Sequence, residues 1–318
     1  MRSESAARTA SIAAMLARLQ QFTTLTLVAA AAAWAIYFVR SGRATWAWAG
    51  VLIILLGYAL FLSFELALLA LVQRRDPAPR ATPRQLLSAL WGEVLTAPQV
   101  FFWRQPFRSR AEPDFVPKPP GPARGIVFVH GFFCNRALWN PWMARLRAAQ
   151  VPFVAVNLEP IFGSIDNYVG IIEQAVQRLQ AATGQPPVLV AHSMGGLAVR
   201  AWLAEAANDH RVHRVVTIGS PHHGAWLARF GHTANGRQMR INSPWLRNLS
   251  RREPALRFAK FTCFYGHCDN IVFPASSARL PGASNLHVAG IAHVHMAFQQ
   301  VVFDEVVAWT TTPARAAC

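Results

Sequence analysis

The chain has 318 residues, is 53% hydrophobic and only 14% charged, and carries a formal net charge of +16 at pH 7. A composition this apolar excludes an ordinary soluble enzyme, and the apolar excess lies near the N-terminus. The positive charge does not indicate a nucleic-acid partner, because the arginines are dispersed and no nucleic-acid-binding module surrounds them. We expect them instead to favour contact with an anionic lipid surface.

Two apolar runs follow a basic N-terminal segment, residues 1–21. They cover residues 22–39 and 46–72, and a short polar turn joins them. Each run is close to the length of roughly 20 residues that a helix needs to cross the hydrocarbon core of a bilayer. The sequence therefore predicts a transmembrane hairpin. A signal peptide would contain a single, shorter apolar run, and a buried helical cap is the other alternative.

The charged residues in and around these runs bear on topology. Glu65 is an acid inside the second run, where a charge is costly, so we expect it to face the partner helix or to lie near the lipid boundary. The basic residues outside the hairpin are Arg2, Arg8, Arg18, Arg74, Arg75, Arg80 and Arg84, and those in the turn are Arg40 and Arg43. The positive-inside rule then places both ends of the hairpin in the cytoplasm.

Residues 73–123 form a linker rich in proline and arginine. Within it, apolar side chains recur at helical spacing over residues 85–102. Pro98 is expected to break this helix. We expect an amphipathic helix that lies on the membrane or on the domain that follows.

An apolar strand that begins at Val188 runs into a small-His-Ser-x-Gly-Gly turn over residues 191–196, which contains Ser193, and a helical pattern begins at Leu197. The residues two positions before and two positions after the serine, Ala191 and Gly195, are both small. A sharp strand-to-helix turn needs small residues there if it is to lift a serine hydroxyl clear of the backbone. This pattern predicts a nucleophilic serine.

A nucleophilic serine needs backbone donors for the oxyanion that forms when it attacks a carbonyl. Upstream, a buried strand over residues 125–129 ends in a loop that begins with His130 and Gly131. The amide of Phe132 in this loop, and the amide of Met194 directly after the serine, are the candidate donors of an oxyanion hole.

A serine nucleophile also needs a base and an acid that orients the base. Asp269 follows a strand over residues 261–266, and His293 follows a last strand over residues 286–290. Asp166 is a weaker candidate for the acid because it precedes the serine, and His295 competes with His293 for the role of base. The histidines at 192, 222 and 223 are expected to pack or to shape loops.

These motifs resemble those of the α/β-hydrolase superfamily, and specifically bacterial lipases with an Ala-His-Ser-Met-Gly or Gly-His-Ser-x-Gly turn. The His-Gly-x-x loop begins at His130, the Asp-x-x-Val-x-Pro pattern is matched loosely from Asp269, and the Gly-x-x-His pattern ends at His293. Residues 221–224 match the family's Pro-His-x-Gly turn, and Ala225 stands where a threonine or serine is common in the family. The resemblance implies a mostly parallel central sheet flanked by helices over residues 124–312, before a tail at 313–318, and a catalytic triad of Ser193, Asp269 and His293.

The resemblance also implies a membrane-anchored esterase or lipase that cleaves acyl esters through an acyl-serine intermediate, with no metal or organic cofactor. Phe133, Trp139 and Phe162 are candidates for an acyl pocket, and residues 226–249 for a lid. A thioesterase or acyltransferase would use the same triad. A non-catalytic membrane component is a further alternative.

The implied compartment is the bacterial inner membrane, with the hydrolase domain in the cytoplasm. Cys263 and Cys268 are close enough in sequence to pair if the domain is exported, so a periplasmic location stays open. Every candidate for catalysis follows Gly125. We therefore expect the hairpin to be an anchor only, and a chain that begins near Pro113 to suffice for hydrolysis.

Overall fold

The computed structural model describes residues 15–116, 123–206 and 209–311. Several features discussed above lie outside the described residues. These are Arg2, Arg8, the proline-rich residues 117–122, residue 312 at the predicted end of the hydrolase domain, and the tail at 313–318 with Cys318.

The two apolar runs form two long helices, α1 (Met15–Arg40) and α2 (Ala44–Val72), which pack against each other. Both are long and apolar enough to cross a membrane, and each contains an 18-residue stretch of high mean hydropathy, 1.8 in the first and 2.4 in the second. The start of α1 and the end of α2, which lie away from the connecting turn, are buried against the rest of the chain. The buried side chains are Leu16, Ala17 and Gln20 in α1, and Leu62, Glu65, Leu66 and Leu69 in α2. The helical spacing of these positions shows that one face of each end packs inward.

The amphipathic pattern forms α3 (Pro83–Pro98), whose start is fixed by a capping box between Thr82 and Gln85. The α-helix ends at Pro98, where the break was predicted, but the chain continues in helical form as a π-helical turn (Gln99–Arg104) and a last helical turn, α4 (Gln105–Phe107). The buried face of α3 contains Ala89, Glu93 and Ala97, and it packs against the C-terminal part of the chain.

Six parallel strands form the central sheet, in the order β2-β1-β3-β4-β5-β6. They are β1 (Ile126–Val129), β2 (Phe153–Ala155), β3 (Val188–His192), β4 (Arg214–Ile218), β5 (Phe261–Tyr265) and β6 (Ser284–His287). The inner strands are apolar along their length because helices cover both faces of the sheet. Strand β6 begins two residues before the predicted strand, at the more exposed edge of the sheet.

Helices cover the two faces of the sheet and form a separate core on each. On one face lie α6 (Val169–Thr183) and α7 (Met194–Ala206), and on the other α5 (Asn140–Ala148) and α11 (Gln300–Thr311). The remaining helices are short: α8 (Ala234–Gln238), α9 (Pro244–Arg251) and α10 (His293–Met296). Because parallel strands end at the same edge of a sheet, the loops after β1, β3, β4 and β5 meet there.

Candidate active site

Ser193 lies at the end of β3, in a strained turn. Its φ is 55°, a left-handed conformation that is unfavourable for a residue with a Cβ. The glycines that follow allow this turn to pack tightly, since a Cβ at Gly195 would lie 2.6 Å from the carbonyl oxygens of Val129 and His130. The Ser193 amide donates to the carbonyl of Ile218, 2.9 Å away at the end of β4. The serine is thus held at the carboxyl edge of the sheet.

Asp269 and His293 form a buried pair in the loops that follow β5 and β6. The Asp269 Oδ2 and His293 Nδ1 atoms are 2.9 Å apart, and the two side chains are 1% and 5% exposed. The other carboxylate oxygen, Oδ1, accepts from the amides of Ile271 and Val272 at 3.0 and 2.8 Å. Both oxygens of Asp269 are therefore engaged, which fixes the carboxylate relative to the imidazole.

The pKa of His293 reflects opposing effects. Burial lowers it, but the charge and hydrogen bond of Asp269, together with the charge of Glu93, outweigh burial and raise the pKa above its ordinary value. An imidazole whose Nδ1–H donates to a carboxylate has its Nε2 lone pair available as a proton acceptor. The pair therefore has the properties of a base oriented by an acid.

Gly219 connects the serine to this pair. It follows Ile218, whose carbonyl binds the Ser193 amide, and it has a φ of 56°. A Cβ at Gly219 would lie 2.8 Å from Asp269 Oδ2 and 3.1 Å from His293 Nδ1. Gly219 thus lies against the Asp269–His293 pair and directly follows the residue that binds the Ser193 amide, and no larger residue fits there.

The predicted oxyanion loop packs directly against the serine. A Cβ on Gly131 would lie 2.7 Å from Ser193 Cβ and 3.3 Å from its Oγ. His130 shapes this loop: its Nε2 accepts from the Leu158 amide at 3.0 Å, and its Nδ1 lies 2.9 Å from the Gly131 carbonyl. Burial lowers the pKa of His130 to about 4, so the ring is neutral. Within the described parts of the chain, neither the Phe132 nor the Met194 amide has a hydrogen-bond acceptor.

The three candidates for an acyl pocket have different surroundings. Phe133 and Phe162 stack with ring centroids 6.4 Å apart, and Phe133 also lines a cavity of about 310 Å³. The other residues that line this cavity are Gln20, Thr23, Thr24, Tyr58, Phe101 and Phe102. Trp139 lies elsewhere, fully buried in the core with its ring 4.8 Å from that of Phe128.

The competing residues are bound in other ways. Asp166 accepts from the indole of Trp245 in α9, and does not contact His293. The His295 ring lies against Gly92 of α3, and His222 bonds to Thr217. Cys263 and Cys268 are buried free thiols. Among the described residues, no group of three or more His, Cys, Asp or Glu side chains could hold a metal ion.

Two acidic residues of the N-terminal helices also reach this site, although the sequence assigned neither of them to it. Glu65 of α2 accepts from Asn270 Nδ2 at 2.7 Å, so its carboxylate faces the loop after β5 and not the partner helix α1. Glu93 of α3 accepts from the amides of Val294 and His295. The one signal for these residues in the sequence is that each is the only acid in its helix.

Comparisons with known proteins agree with this architecture. A family model described as the alpha/beta hydrolase family matches residues 126–316. Mature lipase BlEst2 from Bacillus licheniformis is similar with a TM-score of 0.53 and 19% identity, covering 62% of this chain and 96% of the lipase. Lipase B from Aspergillus fumigatus gives 0.51 and 19%, covering 63% of this chain and 56% of that one. No curated protein sequence matches. At these identities the likeness confirms the predicted fold alone.

Proposed function

Because the chain belongs to the alpha/beta hydrolase family, we propose that it is a membrane-anchored serine hydrolase that cleaves acyl esters. The observation that carries the proposal is the strained Ser193 turn beside the buried Asp269–His293 pair. A strained residue is retained where function requires its geometry. The fold neighbours are lipases, which is consistent with an ester substrate.

The reaction follows from the roles of these groups. Ser193 Oγ attacks the ester carbonyl carbon, and His293 Nε2 takes the hydroxyl proton as the C–O bond forms. Asp269 holds the imidazole in the required tautomer and stabilises its cation. His293 then gives the proton to the departing alcohol, which leaves an acyl-Ser193 ester. Water, deprotonated by His293, cleaves that ester and releases the carboxylic acid.

Negative charge develops on the carbonyl oxygen during both steps. The amides of Phe132 and Met194 donate to this oxygen, since neither has another acceptor among the described residues. Removal of one such donor typically costs about 10²–10³ in turnover. Gly131 allows the loop to lie close enough to Ser193 for this contact.

The acyl chain occupies the aromatic surface beside the oxyanion loop. Phe132, Phe133 and Phe162 cluster there. Phe133 also lines the cavity that is bounded by α1, α2 and the π-helical turn. This apolar path begins at the residue after the proposed oxyanion donor and ends among the helices of the hairpin. An acyl ester with a long chain fits it better than a small polar ester.

The hairpin anchors the domain to the bacterial inner membrane. Most side chains in the middle of α1 and in the first half of α2 are apolar and exposed, as expected of surfaces that face lipid. The arginines of the flanking segments, including Arg74 and Arg75, support a cytoplasmic location of the hydrolase domain under the positive-inside rule. The substrate is a lipid or another acyl ester held at that surface.

An acyl chain-length series tests this function on the full chain purified in detergent. We expect hydrolysis of p-nitrophenyl esters, with higher kcat/KM for longer acyl chains, and slower turnover of matched thioester and amide analogues. Ser193→Ala should abolish hydrolysis, whereas Ser250→Ala, at an exposed serine of α9, should leave it unchanged. Substantial ester hydrolysis by Ser193→Ala would contradict the proposal, and faster thioester turnover would favour a thioesterase.

A further inference from the structure

Glu93 binds the backbone directly after the proposed base. Its Oε1 accepts from the Val294 amide at 3.1 Å, and its Oε2 accepts from the His295 amide at 3.0 Å. The Glu93 residue is only 3% exposed. A carboxylate has acceptors on both oxygens, so it matches two N–H donors, whereas an amide of the same shape matches one.

Glu65 reaches the same loop through Asn270. The Glu65 carboxylate accepts from Asn270 Nδ2 at 2.7 Å, and Asn270 Oδ1 accepts from the His293 amide at 3.2 Å. Asn270 directly follows Asp269 and is 2% exposed. The amides of His293 and of the two residues after it are therefore all held by side chains, and two of these three contacts come from Glu93.

The two acids are costly to keep in place. Burial raises the pKa of Glu93 to about 7, and Glu65 lies on an apolar helix where a carboxylate is unfavourable. Replacing buried charges by apolar residues of similar volume is often neutral or stabilising, so stability alone does not account for them. Their shared feature is that both hold the backbone at His293 or directly after it.

The segment before β1 also contacts the loop after β1 and the loop after β5. Gln105 Oε1 accepts from the Asn135 amide at 2.8 Å, in the loop that carries the proposed oxyanion donor. Asp76 Oδ2 accepts from the amide and the hydroxyl of Ser276, both at 3.0 Å, in the loop after Asp269. These contacts join the N-terminal segment to the loops that carry Phe132, Asp269 and His293.

We propose that Glu65 and Glu93 are positioning residues that fix the His293 backbone, so that the helices preceding the family-matched region complete the active site instead of only anchoring it. This inference rests on the function proposed above. It replaces the expectation that a chain beginning near Pro113 suffices for hydrolysis, because such a chain lacks both acids.

Variants of the full chain test the role of Glu93. Glu93→Gln keeps the shape but loses one of two acceptors, so we expect kcat to fall about 10- to 100-fold, as small displacements of catalytic groups do. KM should change little, because the residue does not contact substrate. Glu205→Gln, at an exposed glutamate of α7, is the matched control and should behave as wild type.

A pH profile separates positioning from general destabilisation. The Glu93 charge contributes to the raised pKa of His293, so its removal should move the acid limb of kcat/KM to lower pH. The other titratable groups that face this pair are Asp269, Glu65, Tyr58, His192 and His295, and none of them is altered. A variant with wild-type kcat, or with lower kcat and an unmoved acid limb, would overturn the proposal for Glu93.

Glu65 provides a second test that does not depend on the folding of Glu93 variants. Glu65→Gln keeps an acceptor for Asn270 and should retain most of kcat, whereas Glu65→Leu removes the acceptor and should lose about 10-fold or more. Equal kcat for Glu65→Leu and wild type would overturn the role of Glu65. If hydrolysis by the wild-type protein does not depend on Ser193, the proposed function fails. If the wild type hydrolyses esters through Ser193 and the glutamate variants do so equally well, only the positioning role fails.

Discussion

Asp269→Asn tests how tightly the structure specifies the tautomer of His293. In the wild type, Oδ1 accepts from two backbone amides and Oδ2 faces His293 Nδ1. An asparagine must direct its oxygen to the two amides, because the opposite orientation would set its NH₂ group against two N–H donors. Its NH₂ group then faces Nδ1 at the 2.9 Å position.

This orientation predicts a large loss of activity. A donor opposite Nδ1 requires that atom to be an acceptor, which moves the ring proton to Nε2. An Nε2–H cannot take the proton of Ser193. The equivalent substitution in a serine protease lowers kcat by about 10⁴, and the tautomer argument predicts a loss of the same order here, roughly 5 kcal/mol of transition-state stabilisation.

The assay is kcat for a soluble p-nitrophenyl ester with the full chain in detergent, together with its thermal unfolding transition. Asparagine has the shape of aspartate and keeps the two amide contacts, so the transition should stay close to that of wild type. Asp304→Asn, at an exposed aspartate of α11, is the control. A folded Asp269→Asn protein with activity within about tenfold of wild type would refute the assignment of the acid.

Three further outcomes are expected. His293→Ala should lose orders of magnitude in kcat and His295→Ala much less, because only the former ring pairs with Asp269, and the reverse ranking would mean that His295 is the base. The value of kcat/KM should rise with pH through the pKa of His293, because the base acts in its neutral form. That pKa lies above the ordinary value for histidine. A value of kcat/KM that falls over this pH range would contradict the role of His293 as base. Glu253→Gln should lower the free energy of unfolding by about 3 kcal/mol. The reason is that Arg200 and Glu253 form an ion pair whose side chains are 1% and 0% exposed. An unchanged denaturation midpoint would show that this ion pair contributes little to stability.

Local patterns in the sequence predict the architecture well. The apolar runs that form β1, β3 and β5 are continuous because both faces of the sheet are covered, and the small residues around Ser193 are required by its turn. The order of the motifs matches the order in which the strands deliver their loops to one edge. The resemblance to the α/β-hydrolase superfamily rests on these local features, and the family match confirms it.

Contacts between distant parts of the chain are not visible in local patterns. Glu93 and Val294 are 201 positions apart, and Glu65 and Asn270 are 205 positions apart. A lone acid on a helix gives the same sequence pattern whether its side chain meets solvent or a distant part of the chain. Trp139 shows the same limit, since the 3-10 turn over Arg136–Trp139 directs its ring into the core although it lies near the oxyanion loop in sequence.

The central claim is that Ser193 is a nucleophile activated by His293, and covalent labelling tests it most directly. The folded full chain should react with a fluorophosphonate, and peptide mass spectrometry should locate the label on Ser193. Ser193→Ala should not be labelled, and His293→Ala should react far more slowly. Folded wild-type protein that is not labelled, or that carries the label on another residue, would contradict the account.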